Sequence, residues 1–229
     1  MGFIDKIFKG KQPSWGVHPD DHKRPAADVP LRILPPPARV YMPLQQHVGG
    51  AARPVVLVGQ KVLKGQLLAE SSGNISAPIH APVSGTVSAI GEVTAPHASG
   101  LGFTAITIDN DYADRWIETE QVTDPLALTP EEITKKTAAA GIVGLGGATF
   151  PAAPKFALGR RMKVDTLIVN GGECEPYLSA DDRIMRDRAD EVVDGVRIVM
   201  HAIGAVQALV GIEDNKPEAI AAMRQAGAG

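Results

Sequence analysis

Residues 53–70 read RPVVLVGQKVLKGQLLAE, residues 77–92 APIHAPVSGTVSAIGE and residues 102–109 GFTAITID. These are short β-branched runs broken by Gly, Pro and Ser, so this part of the chain predicts several short strands forming a small β sandwich or barrel. The flanks have a different texture. Residues 12–45 are punctuated by proline, including Pro35-Pro36-Pro37, and have little periodic apolar pattern. They read as an extended arm, a linker or a clamp lying over a surface. Ahead of the arm, Phe3, Ile4, Ile7 and Phe8 fall on one side of a short helix, with Lys6, Lys9 and Lys11 elsewhere. That pattern fits either a frayed terminus or an amphipathic foot on a membrane or membrane subunit. Residues 109–128 are acidic and turn-rich and mark a boundary. The expected organisation is an amphipathic segment and arm over 1–45, a β domain over 46–125 and a further domain over 126–229.

That further domain alternates helix and strand. Thr129-Pro130-Glu131-Glu132 combines an N-cap Thr, Pro at the first helical position and Glu at the capping-box position, so a helix begins there and stops at Gly141. Val164 to Val169 and Val206 to Ile212 read as strands. Between them, Ser179 to Ile203 reads as helical, with apolar Ile184, Val192, Val196 and Val199. Strand, helix, strand predicts a parallel α/β sheet, so the fold class is α/β plus β.

Composition excludes several classes. The chain has 229 residues, 23 basic against 26 acidic side chains and a single cysteine, Cys174. One thiol can neither close an intrachain disulfide nor hold an iron–sulfur cluster, which takes about four thiolates. The net charge of -3, without a basic block, leaves no footprint for nucleic acid. No stretch is apolar and long enough to span a bilayer of about 30 Å, and MGFIDKIFKGK fits neither a signal peptide nor a lipidation motif. His18, His22, His47, His80, His97 and His201 include one four-residue spacing, His18 to His22, but no H-E-x-x-H, so no metal site is expected. No G-x-S-x-G occurs, and Cys174 stands between two acids, which disfavours a reactive thiolate.

Two loops carry the chemistry. Gly144-Leu145-Gly146-Gly147-Ala148-Thr149-Phe150-Pro151 leads into a helix with Lys155 about one turn in. Glycines ahead of a helix let backbone N–H groups approach an anion, and the helix dipole and the lysine favour phosphate there. As a bare pattern, the run also fits a plain turn between helices. The second loop, Asn170-Gly171-Gly172-Glu173-Cys174-Glu175-Pro176-Tyr177, follows a strand, and in open α/β sheets ligands sit outside the carboxyl ends of strands.

The run V-G-x-x-V-x-x-G-Q-x-L (Val58 to Leu68) followed by A-P-x-x-G-x-V (Ala81 to Val87) resembles the hammerhead fold of biotinyl and lipoyl carrier domains. Such carriers need a lysine at a hairpin tip, and the corresponding stretch, Glu70 to Ser76, has none; Lys61 and Lys64 lie in the first half. The expectation is a barrel-sandwich hybrid scaffold without carrier function.

GLGGATFPAAPKF and NGGECEPYLSADDR together resemble the flavin-binding loops of the NADH-oxidising subunit of respiratory complex I. With W-G-V-H-P (Trp15 to Pro19), P-L-Q-Q-H (Pro43 to His47) and the β domain, the chain is more similar still to the RnfC component of Rnf-type electron transport complexes. The resemblance implies a barrel-sandwich hybrid domain followed by the start of a Rossmann-like FMN- and NADH-binding domain. The FMN phosphate would lie against backbone N–H groups of Gly146, Gly147 and Ala148, with Gly144 also among the cofactor-binding residues, Lys155 nearby and Phe150 packing against a ring. Asn170, Glu173 and Glu175 would line the flavin and the nicotinamide, Glu175 having a positioning role and the flavin itself transferring hydride. It further implies a peripheral subunit at the cytoplasmic face of the inner membrane. There it would partner the other Rnf-type subunits and pass electrons between NAD(H) and, indirectly, ferredoxin, coupled to ion translocation. Two 4Fe–4S clusters are expected only in a region following Gly229.

The chain departs from the pattern in three ways. Thr149 replaces a glycine, Gly172 stands where the complex I relative has an acid, and the chain ends at Gly229 before the expected rest of the nucleotide domain. A different class of reading therefore stays open, a non-catalytic truncated scaffold that docks partner subunits without binding flavin.

Overall fold

The computed structural model describes residues 20–73, 75–95 and 98–228. The expected amphipathic foot, the W-G-V-H-P stretch, His18 and His97 lie outside them. In chain order the described elements begin with α1 (Arg24–Ala27). Strands β1 (Arg39–Pro43), β2 (Arg53–Pro54), β3 (Lys61–Val62), β4 (Leu67–Glu70), β5 (Ile79–His80), β6 (Gly85–Thr94) and β7 (Gly102–Asn110) follow. The mixed part contains α2 (Pro130–Ala139), α3 (Ala152–Met162), β8 (Thr166–Gly171), α4 (Ala180–Asp187), α5 (Ala189–Ile203), β9 (Gln207–Ile212) and α6 (Pro217–Ala226). Two compact units result. Among the described residues, one comprises 20–31, 170–190 and 211–228, and the other 32–169 and 191–210.

The β-rich part of the second unit is two antiparallel sheets, β1-β7-β6-β3 and β2-β4-β5. A single apolar cluster draws on both: Val62, Leu68, Ile79, Val87, Ile106 and Ile108 are buried together, with Val40 and Met42 against them. Each such side chain contributes about 1.5–3 kcal/mol relative to exposure. The end of the proline-punctuated arm is not an overlay. Residues 39–43 pair with β7 as an edge strand, in register from Arg39 opposite Asp109 to Pro43 opposite Ala105, and proline is tolerated at that position because an edge strand leaves a donor free.

The glycines of the β domain sit where chain geometry needs them. Leu57-Val58-Gly59-Gln60 and Leu63-Lys64-Gly65-Gln66 are the same turn twice. In each, the Gln N–H donates to the Leu carbonyl, the Gln Oε1 accepts the Leu N–H at 3.0 Å, and the glycine is left-handed, with φ +86° and +83°. At Gly85 a Cβ would stand 2.1 Å from the Asp109 carbonyl oxygen.

The tip between β4 and β5, where a carrier would present its lysine, is turned toward the helices. Ser71, Gly73 and Ser76 line a cavity of about 320 Å³ together with Thr134, Ala138 and Pro154. Lys64 is occupied elsewhere, donating to Asp114 at 2.8 Å and lying 4.5 Å from the centre of the Trp116 ring.

Helix α2 starts as the sequence predicts. Thr129 Oγ1 accepts the Glu132 N–H at 3.3 Å, and Glu132 Oε2 accepts the Thr129 N–H at 2.7 Å. The helix closes at left-handed Gly141, φ +70°. Arg160 of α3 ties the neighbouring elements together, donating to Thr134 Oγ1 at 2.8 Å and the Ala202 carbonyl at 2.7 Å. Strands β8 and β9 pair as a two-stranded sheet. Val206 N–H donates to the Asp165 carbonyl at one end, and Gly171 lies against Gly211 and Ile212 at the other, so the two run in the same direction. The helix expected over 179–203 is two helices, because Arg188 leaves helical geometry at φ -137°, ψ 36°. The apolar spacing runs on through the break, which is why it reads as one.

Candidate functional site

The glycine-rich loop lies in the second unit and is closed at its neck. Gly144 N–H donates to the Phe150 carbonyl at 2.9 Å, Ala152 N–H donates to the Ile142 carbonyl at 2.9 Å, and Val143 and Pro151 form an antiparallel bridge. The loop can therefore hold a shape without side chains of its own. At Gly146 and Gly147 a Cβ would meet nothing within 4 Å, and Gly147 has φ +120°. Bare backbone is thus open to an approaching group, which is what binding an anion by N–H groups demands.

Lys155 lies on the first turn of α3, and its Nζ folds back to 2.9 Å from where a Cβ on Gly144 would stand, and to 5.7 Å from the centre of the Phe150 ring. No acidic side chain occupies the first turn of α3. The loop therefore combines exposed amides, a helix start and a cation. Thr149 holds φ +48°, a left-handed conformation that a β-branched residue adopts only under constraint.

The second loop lies in the first unit, at the carboxyl end of β8. Asn170 is exposed and its Oδ1 accepts the Gly172 N–H at 3.0 Å, making an Asx turn. The following residues divide by direction. Glu173 is buried, 4% exposed, whereas Cys174, Glu175, Pro176 and Tyr177 are exposed. Glu173 Oε1 accepts the N–H of Asp181 at 2.8 Å in the first turn of α4, and its Oε2 lies 3.4 Å from Lys23 Nζ. Its backbone N–H points to Glu213 Oε2 at 3.4 Å, and Glu213 pairs with Lys216 at 3.6 Å. Burial, with the Glu173 and Glu175 carboxylates nearby, pushes the Asp181 carboxyl above the usual aspartate range, partly offset by Lys23.

Gly144, Gly146, Gly147, Ala148, Phe150 and Lys155 thus share one loop and helix start, and Asn170, Glu173 and Glu175 share another loop. Sequence reasoning misses Lys23 and Asp181. Lys23 sits in an unremarkable polar run, Asp20-Asp21-His22-Lys23-Arg24, 150 residues from its partner, and no local spacing signals such a pair. Among the described residues no cluster of three or more His, Cys, Asp or Glu could hold a metal ion, and no helix is long and apolar enough to cross a membrane.

Comparison with known proteins places these loops in a family context. The model of the RnfC barrel sandwich hybrid domain matches residues 11–113, and that of the Nuo51 FMN-binding domain matches residues 137–229. Curated relatives, each the C component of an ion-translocating oxidoreductase complex, align along most of the chain. The Rhodobacter capsulatus protein is 50% identical over 208 residues, covering 91% of this chain and 40% of its own length. The Pseudomonas aeruginosa protein is 50% identical, covering 88% of this chain and 26% of its own length. The Haemophilus influenzae (strain PittEE) protein is 44% identical, covering 96% and 33%. A crystal structure of NAD+-reducing [NiFe]-hydrogenase in the H2-reduced state is similar over 44% of this chain and 19% of its own, at 29% identity and a TM-score of 0.40. The chain spans between about a quarter and two fifths of the length of these curated relatives. It belongs to the RnfC family of ion-translocating oxidoreductase complex subunits, carrying the RnfC barrel sandwich hybrid domain and a Nuo51-type FMN-binding domain.

Proposed function

We propose that this chain is the FMN- and NADH-handling part of a membrane-bound complex that moves electrons between NAD(H) and ferredoxin while translocating ions. The observation that carries the reading is the closed glycine loop. Gly146 and Gly147 present backbone with no atom where a Cβ would project, and the Lys155 ammonium is folded over Gly144, within the stretch matched by the Nuo51 FMN-binding domain. These residues fit a flavin phosphate, which needs amides, positive charge and no intruding side chain.

Bound FMN would supply the hydride and electron chemistry; the chain's residues bind and orient. In this reading Gly146, Gly147 and Ala148 take the phosphate through backbone N–H groups, Gly144 holds the neck of the loop beside them, Lys155 neutralises the phosphate and Phe150 packs against a ring. Asn170, Glu173 and Glu175 form the loop toward flavin and nicotinamide. Of the two acids, the exposed Glu175 is the one free to position a ligand, and Glu173 acts from its buried place. Carboxylates beside the flavin would disfavour extra negative charge on it and so lower its potential.

The limits 1–45, 46–125 and 126–229, with a Rossmann-like sheet in the last, complete the proposal. So do two 4Fe–4S clusters in a further region of the whole protein, and a peripheral position at the cytoplasmic face of the inner membrane beside the other subunits. The test is to titrate the purified chain with FMN and with riboflavin, then add NADH anaerobically. Phosphate-dependent retention of flavin, with bleaching of its visible absorbance by NADH, supports the reading. A chain that retains no FMN would leave it a docking scaffold.

A further inference from the structure

Lys23 is 6% exposed, a depth that lysine reaches essentially only when paired. Its ammonium donates to the Glu173 carbonyl and lies 3.4 Å from Glu173 Oε2. That carboxylate in turn receives the first turn of α4 through the Asp181 N–H. Neighbouring residues add a second link to the loop and one to α4. The Asp21 carbonyl accepts the Tyr177 N–H at 2.9 Å, and the Ala27 carbonyl accepts from Arg186 at 3.0 Å. The His22 ring stacks on Tyr177, centroids 5.0 Å apart and planes 14° from parallel. His22 and Tyr177 both hold left-handed backbone, φ +47° and +69°. Strain of that kind persists only where the surroundings impose it, and it collects at functional sites.

We propose that Lys23 is a positioning residue for the Asn170–Tyr177 loop, the anchor of a strap formed by residues 20–27 that keeps Glu173 turned inward and leaves Glu175 exposed as a ligand-positioning group. The inference rests on the FMN reading above. The groups packed around Glu173 explain why a cation is needed. Asp181 and Glu213 face it, and Lys216 is paired with Glu213 at 3.6 Å. Without the Lys23 charge, Glu173 would be an uncompensated buried carboxylate beside Asp181 and Glu213, a situation relieved by swinging the side chain out. That movement alters the backbone that carries Glu175.

The test compares Lys23→Met, Lys23→Arg and the double variant Lys23→Met with Glu173→Gln in the full 229-residue chain. FMN affinity and the visible circular dichroism of bound flavin are read alongside thermal unfolding. Lys23→Met should weaken FMN binding about tenfold, equivalent to about 1.4 kcal/mol, and change the flavin dichroism, and Lys23→Arg should restore most of both. The double variant removes both buried charges, so it should recover folding stability without recovering the flavin signature. If wild type binds FMN and both Lys23→Met and the double variant match it in affinity and dichroism, the positioning role is overturned. If wild type binds no FMN, the functional reading fails instead, and the two failures are distinct.

Discussion

A β-branched side chain at φ +48° makes Thr149 the most strained position of the glycine loop, a conformation that disfavours L residues by about 1–2 kcal/mol. Thr149→Gly should leave the chain as stable or up to about 1 kcal/mol more stable in a denaturant titration, and should hold FMN no less tightly. Lys155 acts through charge, so Lys155→Ala should weaken FMN about tenfold while leaving riboflavin unchanged, an effect that shrinks with added salt. In the β domain the Ser84 hydroxyl, the Ala113 N–H and Arg115 hold the Asp111 carboxyl down at about 2. A depressed folded-state value means that the stability it lends is present above the unfolded aspartate range and is lost as pH falls toward 2. Asp111→Asn should therefore lower the melting temperature at pH 7, and the gap to wild type should close by about pH 2. Asp181 runs the other way. Its carboxyl is raised by burial and by Glu173 and Glu175, so its charged form is the unfavourable one. Residues of this kind divide by legibility. The glycines and Lys155 sit within one short run and could be read as a phosphate loop. Glu173 was legible as a loop acid but not as a buried one, because its direction is set by Lys23, 150 residues away.

Helix α2 shows how much a short signal can determine. Four residues carry a complete capping box, and the structure closes it in both directions. Thr129→Ala should cost about 1 kcal/mol, measured by chemical denaturation, and Thr129→Ser should cost little. The run Val58 to Leu68 shows the glycines of the paired Leu-x-Gly-Gln turns but not the role of each glutamine, which lies in a side-chain hydrogen bond. Two elements misled for opposite reasons. Residues 39–43 read as arm because proline and polar neighbours mask an edge strand, which needs pairing from one side only. The helix over 179–203 read as continuous because apolar periodicity is blind to one residue such as Arg188 leaving helical dihedrals.

At the scale of the whole chain, the apolar cluster of the β domain is the principal contiguous store of buried side chains among the described residues. Leu68 at its centre is fully buried. Leu68→Ala should destabilise the unit that holds it by about 2–5 kcal/mol in thermal or denaturant unfolding. The two-stranded sheet is built differently. Ile168 on β8 and Leu209 on β9 are both exposed, at 73% and 52%, with Val206 at 80% beyond them. Apolar side chains left open on so small a sheet make a sticky surface in water. The practical consequence is colloidal: the chain should scatter light increasingly as it is concentrated, and Ile168→Lys with Leu209→Lys should keep it clear at the same concentration.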